Sequence, residues 1–302
     1  MKTSKKISIP IPFWNFFLML LPILFNSCQF SGKSSNFKSD YDPISQDIIV
    51  KDSIYPGIAI RMIDSEGSLL KVLQFYPTGK GPHPTLILLH GYTGMGGNTD
   101  IAQTLCRAGW NVIFFRHRGS WGMPGEFSFQ HCVEDAINIA NYCKNNSDSM
   151  NVDTARIALF GHSMGGWVAL KSAVHLKFVK KIFVLSTWNL YNDVLWCKKK
   201  NIIDSALIKE AESLSEIKIS SGKALFEPVL KDSTAFMLTT DLQKMKGKCV
   251  FMLDEHKENK FIADSLRKYT QSLGYEVWDK TDHSFTNKRI AMQRKLISFL
   301  NN

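Results

Sequence analysis

The run Gly161-His162-Ser163-Met164-Gly165 holds the residues of this sequence whose types and spacing point most directly to chemistry. A serine hydroxyl attacks a carbonyl when it stands clear of its neighbours, beside a base, with N–H groups aimed at the charge that develops. A Gly-x-Ser-x-Gly run meets the first condition when it joins a strand to a helix, because the serine then occupies the apex of a sharp turn. That context is present: the apolar run Ile157–Phe160 precedes it and the helical stretch Gly166–Ala173 follows. Side chains at Gly161 or Gly165 would collide with neighbouring backbone, and the serine sits at the positive end of the helix.

A serine in such a turn needs a scaffold of strands and helices. After Pro82 and Pro84 short apolar runs alternate with amphipathic stretches, the pattern of βα units that build a parallel sheet. Strands are expected at Thr85–Leu89, Asn111–Phe115, Arg156–Phe160, Lys181–Leu185, Cys249–Leu253 and Glu276–Trp278. An antiparallel hairpin is expected before them, with Ile58-Ala59-Ile60 and Val72–Phe75 joined across the turn Asp64-Ser65-Glu66-Gly67. Helices are expected near Thr99, near Phe129, at Ser163, near Asn259 and from about Asn287 to Leu300. In the second, Val133, Ala136, Ile137 and Ala140 recur at helical spacing and give one apolar face.

Leu89-His90-Gly91, Arg118-Gly119-Ser120-Trp121-Gly122, Glu134-Asp135, the turn Gly161–Gly166 and Asp282-His283-Ser284-Phe285 together resemble the α/β-hydrolase superfamily. The likeness runs from roughly Ile48 to Leu300. It is closest to bacterial serine hydrolases of the prolyl-oligopeptidase-like and dienelactone-hydrolase-like groups. It implies a mostly parallel central sheet with helices on both faces. The long interval at about 189–247, between the strands ending at Leu185 and starting at Cys249, is then expected as a helical cap insertion. It further implies the chain order serine, acid, histidine. Of His175, His256 and His283, only His283 occupies the loop between the last strand and the last helix, so it is the expected base. Asp282 beside it is read as shaping the loop. The acid belongs on the loop after Cys249–Leu253, where Asp254, Glu255 and Glu258 all stand. Glu258, followed three residues later by apolar Phe261, fits the superfamily's spacing best, with Asp254 as the alternative. The oxyanion donors would be the backbone N–H groups of Tyr92 and Met164, with His90 bracing its loop. Trp121, Trp167 and Trp188 are candidates for an acyl pocket or for the core. The chemistry implied is acyl transfer on a small ester, with peptides as the alternative substrate and a non-catalytic binding lipoprotein as a further reading. No metal or organic cofactor is required.

The N-terminus reads differently. Lys2, Lys5 and Lys6 precede an apolar stretch from about Ile11 to Phe25, broken by Pro12 and Pro22, which suits an export signal over residues 1–27 better than a membrane span. Phe25-Asn26-Ser27-Cys28 resembles the lipobox of bacterial lipoproteins, so Cys28 is expected to be lipidated, anchoring the chain to a membrane of the cell envelope. Residues 28–45 then form a tether, and 46–302 the hydrolase domain. The formal charge is +10, and +7 without the signal, which leaves 34 basic and 27 acidic side chains. This basicity is dispersed, and the Lys198-Lys199-Lys200 run lacks interleaved aromatics, so no nucleic-acid partner is expected. The remaining five cysteines show no metal-ligand spacing and are read mostly as small core residues.

Overall fold

A computed structural model describes residues 41–302 apart from Asp52 and Met95. The signal at 1–27, Cys28 and most of the tether lie outside the described residues. An eight-stranded sheet organises the domain in the order β1-β2-β4-β3-β5-β6-β7-β8. Its strands are β1 (Gly57–Ser65), β2 (Ser68–Tyr76), β3 (His83–Leu89), β4 (Asn111–Phe115), β5 (Val152–His162), β6 (Lys181–Leu185), β7 (Cys249–Asp254) and β8 (Ser272–Val277). β1 and β2 form the expected antiparallel hairpin and β2 pairs antiparallel with β4, while β4, β3, β5, β6, β7 and β8 run parallel. The middle strands read as unbroken apolar runs because helices cover both faces, and every residue of β4 is buried.

Ten α-helices accompany the sheet among the described residues: α1 (Thr99–Arg107), α2 (Phe129–Asn145), α3 (Ser147–Met150), α4 (Met164–Ala173), α5 (Leu190–Lys199), α6 (Lys209–Ser213), α7 (Gly222–Lys231), α8 (Ser233–Phe236), α9 (Lys260–Leu266) and α10 (Arg289–Asn301). Two cores result. One joins Ile87, Leu159 and Val184 to α2 and α4, and the other joins Leu86, Phe160 and Phe183 to α1 and α10. The buried stripe of α2 is Phe129, Cys132, Ala136, Ile139 and Cys143, with Val133 and Ile137 only partly covered. Cys132 and Cys143 are buried free thiols within it.

β8 begins four residues before the strand expected at Glu276. Its first four residues, Ser-Leu-Gly-Tyr, carry little strand signal, and tertiary pairing with β7 determines them. A Cβ at Gly274 would stand 2.4 Å from the ring of Phe251, so this strand approaches β7 closely.

The interval between β6 and β7 contains α5 to α8 and no strand of the main sheet. Buried Lys171 of α4 donates to the Thr234 and Met237 carbonyls and the Thr240 hydroxyl, and the Trp167 indole donates to Phe236 O at 2.8 Å. Loop 119–127 is stitched to the interval by Trp121 N to Glu216 O, Lys218 N to Gly119 O and Phe127 N to Lys218 O. The base of that loop is held by a buried ion pair. Arg118 Nε and Ser65 Oγ both donate to Asp135 Oδ1, at 2.6 and 2.7 Å, and Arg118 also reaches Glu134. Burial would raise the Asp135 carboxyl, but the neighbouring His117 and hydrogen bonds from Ser65 and Arg118 outweigh it and hold the group below its ordinary value. The Arg118–Gly122 and Glu134-Asp135 motifs are thus two ends of one anchor.

Candidate active site

The parallel register brings the carboxyl ends of β3, β5, β6 and β7 side by side: Leu89 pairs with Gly161, His162 with Leu185, and Leu185 with Leu253. Ligands of open α/β sheets bind at that edge. Ser163 stands there at φ 56 and ψ −118, between the end of β5 and the start of α4. L residues rarely adopt such a conformation, which costs on the order of 1–3 kcal/mol and persists only where its surroundings impose it. Here they do. Ser163 N donates to Leu185 O at 2.9 Å, and Ser163 O accepts from the N–H groups of Gly166 and Trp188. A Cβ on Gly161 would lie 2.0 Å from Gly165 O, and one on Gly165 would lie 2.2 Å from Leu89 O. Both obstacles are backbone, so neither position admits a side chain while the turn keeps its shape.

The loop after β3 approaches from the other side, with the Gly91 Cβ position 3.2 Å from Ser163 Cβ. Tyr92 follows, and Met164 opens α4, where the first N–H groups of a helix lack intrahelical partners. His90 is fully buried; it accepts from His117 N through Nε2 and so donates to Gly91 O through Nδ1, at 2.8 Å. Burial and the neighbouring His117 depress its pKa to about 3, which keeps it neutral. It braces the loop.

His283 Nδ1 lies 2.6 Å from Glu255 Oε1. The carboxylate accepts, so the imidazole donates through Nδ1 and leaves Nε2 free as the basic nitrogen. The partner of His283 is therefore Glu255, and neither Glu258 nor Asp254 reaches it. The three acids are separated by where β7 stops. Asp254 is its last residue, buried, with Oδ1 facing Thr187 N at 3.3 Å and Asn259 Nδ2 at 3.4 Å. Glu255 is the first residue beyond the strand and turns toward the β8–α10 loop. Glu258 is a cavity-wall residue just before α9. Burial alone would raise the Glu255 carboxyl, but hydrogen bonds from His283 and from Ser186 Oγ, the latter at 2.6 Å, bring it down to about 2. Burial pushes Asp254 the other way, up to about 7, with hydrogen bonds from Asn259, Thr187 and Tyr275 insufficient to offset it. Asp282 accepts from Thr286 N and Oγ1 and so shapes the turn behind His283.

A cavity of about 800 Å³ opens onto these groups, with Ser163, His283, Glu255 and Glu258 in its wall. Trp188, Trp196, Tyr92 and Phe261 supply aromatic surface. Of the other tryptophans, Trp167 is core, and Trp121 lies under the Arg116 guanidinium at 4.7 Å. Four carboxylates line the cavity, those of Asp193, Asp254, Glu255 and Glu258, and no lysine or arginine does, although the chain as a whole is basic. Asp193 accepts from the Trp188 indole at 2.8 Å. Burial raises its pKa and the charge of Glu258 adds to the effect, against the lowering by Trp188. Among the described residues, no group of three or more His, Cys, Asp or Glu could hold a metal ion.

A family model described as serine aminopeptidase, S33, matches residues 80–203. An uncharacterized protein of Mycobacterium tuberculosis is 32% identical over 136 residues, 44% of this chain and 47% of that one. The chain thus spans about half the length of this curated relative. Among solved structures, esterase Est22 superposes with a TM-score of 0.63 at 13% identity, over 82% of each chain. The Pyrococcus horikoshii acylaminoacyl peptidase superposes with a TM-score of 0.60 at 12% identity, over 82% of this chain and 41% of that one. The chain is an α/β-hydrolase in fold, with the mostly parallel sheet and flanking helices that its sequence implied.

Proposed function

We propose that this chain is a serine hydrolase acting on small carboxylic esters through Ser163, His283 and Glu255. The observation that carries the reading is the 2.6 Å contact between His283 Nδ1 and Glu255, in the wall of the cavity that also exposes the strained Ser163. In the first step His283 Nε2 takes the Ser163 proton as Oγ bonds to the substrate carbonyl carbon, and the carbonyl π electrons pass to oxygen. The N–H groups of Tyr92 and Met164 receive that oxyanion; one such donor is worth about 2.7–4 kcal/mol of barrier in serine proteases. The imidazolium, stabilised by Glu255, returns the proton to the departing alcohol. A water activated by His283 then cleaves the acyl-enzyme. Ser163→Ala should abolish labelling by a fluorophosphonate probe and lower p-nitrophenyl ester turnover by roughly 10⁵–10⁶. Undiminished labelling would remove Ser163 from the mechanism.

The carboxylates of Asp193 and Glu258 favour a second reading, an exo- or oligopeptidase that holds a peptide amino terminus against them. Turnover of aminoacyl p-nitroanilides, with p-nitrophenyl esters of equal size as the control, separates the two. Export and lipidation at Cys28 complete the proposal, placing the enzyme at a membrane of the cell envelope.

A further inference from the structure

The strands that meet at the site carry one more polar group with a defined task. Ser186 follows β6 directly, at φ 47, and is 4% exposed. Its backbone is fixed from both sides: its N–H donates to Leu253 O at 2.8 Å, and the residue before it, Leu185, accepts from Ser163 N. Its hydroxyl lies 2.6 Å from Glu255 Oε2 and 3.1 Å from His283 O. A hydroxyl has one proton to give. The His283 carbonyl already faces His162 Nε2 at 2.9 Å, and the contact to the carboxylate is shorter and charge-assisted, so the proton goes to Glu255. The two oxygens of Glu255 are then each engaged, one by the base and one by Ser186.

We propose that Ser186 is the positioning residue of this site, orienting Glu255 so that His283 keeps its Nδ1–H tautomer and a free Nε2 with which to serve Ser163. This rests on the serine-hydrolase reading above. The need for such a residue follows from the acid. A glutamate at the first position past a strand has three side-chain torsions, and one hydrogen bond leaves the carboxylate free to rotate about its last bond. With Ser186 on the second oxygen, the carboxylate plane is set from a corner of the sheet that also holds the nucleophile's N–H. The low pKa of Glu255 is consistent with donors on both oxygens of one anion, its own backbone N–H adding to His283 and Ser186.

The test is Ser186→Gly in the full chain, since glycine keeps the left-handed corner without strain and removes only the hydroxyl. The expected result is a fall in kcat of about tenfold to a hundredfold with KM within about twofold, because the loss is of orientation in the transition state. The low-field proton resonance of the His283 Nδ1–H in the hydrogen bond to Glu255 should broaden or move. Combining the change with Glu255→Gln should cost little beyond Glu255→Gln alone, since Ser186 acts through that carboxylate. Ser186→Ala should reproduce the kcat loss, and it supplies the measurement if the glycine variant does not fold. Wild-type kcat and an unmoved resonance in a folded variant, or full additivity with Glu255→Gln, would overturn the proposal. If Ser163→Ala keeps its activity the serine-hydrolase reading itself fails, an outcome distinct from a silent Ser186.

Discussion

The turn at Ser163 and the loop after β7 both supply a site residue from the end of a parallel strand, yet they are fixed by different means. In the turn, closely packed backbone determines every position: Gly161 faces Gly165 O, Gly165 faces Leu89 O, and Ser163 is held by Leu185 and Trp188. In the loop, Asp254, Glu255 and Glu258 lie within five residues, and the hydrogen-bond partners that each one finds distinguish them. Ser186 and His283 select Glu255, Thr187 and Asn259 hold Asp254, and Glu258 is left to the cavity wall. Steric exclusion acts at the first region and hydrogen-bond selection at the second, so the two should break differently.

The largest effect should come from the turn. Gly165→Ala drives a Cβ to within 2.2 Å of Leu89 O, and the β3 and β5 ends must separate to admit it. The fluorophosphonate labelling rate should fall at least about a hundredfold, because misplacement by about 1 Å near a reacting centre is enough for that loss. Stability should fall by about 1–3 kcal/mol, the usual cost of overpacking. An alanine variant labelled at the wild-type rate would mean that the turn is softer than its contacts indicate.

A smaller and different loss is expected in the loop. Asn259 Nδ2 donates to Thr187 O at 2.8 Å from a buried position, so Asn259→Ala strips a partner from a buried carbonyl. Chemical denaturation should register about 1–3 kcal/mol of lost stability, with labelling of Ser163 changed much less than in Gly165→Ala. Equal losses of labelling in both variants would erase the distinction between the regions.

A third effect appears only as pH is varied. Asp254 titrates at about 7 in the folded chain and at its ordinary 3.8 when unfolded, so folding favours its protonated form. That contribution is fully present below about 4 and is lost as pH rises through about 7. Glu255 works in the opposite sense and in another window: held at about 2 against 4.5, it contributes above 4.5 and is lost as pH falls toward 2. The Tm of Asp254→Asn relative to wild type should therefore rise between pH 4 and pH 8. A difference independent of pH would place the Asp254 carboxyl at its ordinary value.

The same contrast explains which parts were legible in the sequence. The fold, Ser163 and the loop carrying His283 rest on strand–turn–helix patterns contained within about ten residues each, and such patterns survive in a linear reading. The hairpin was legible from its turn signal between two β-like runs, and the interval before β7 from helical stretches with no core strand among them. Glu255 was not, because spacing within its loop favours Glu258, whose place before α9 follows the superfamily rule, while the deciding contacts come from residues 28 and 69 positions away. Ser186 carried no signal at all, being a serine at the end of an apolar strand. The start of β8 was missed because its residues are ordinary and its pairing with β7 is what makes it a strand.

The most direct measurement of the central claim is a side-by-side determination of kcat for Glu255→Gln and Glu258→Gln on a neutral p-nitrophenyl ester, with Tm recorded for each. A group that orients His283 and stabilises its imidazolium costs about 10⁴-fold in kcat when neutralised in the serine-protease precedent, whereas a cavity-wall carboxylate bears little on a neutral substrate. Glu255→Gln should fall by at least about a hundredfold with Tm little changed, and Glu258→Gln should stay within about threefold of wild type. The reverse order would contradict the pairing of His283 with Glu255 and return the acid to Glu258.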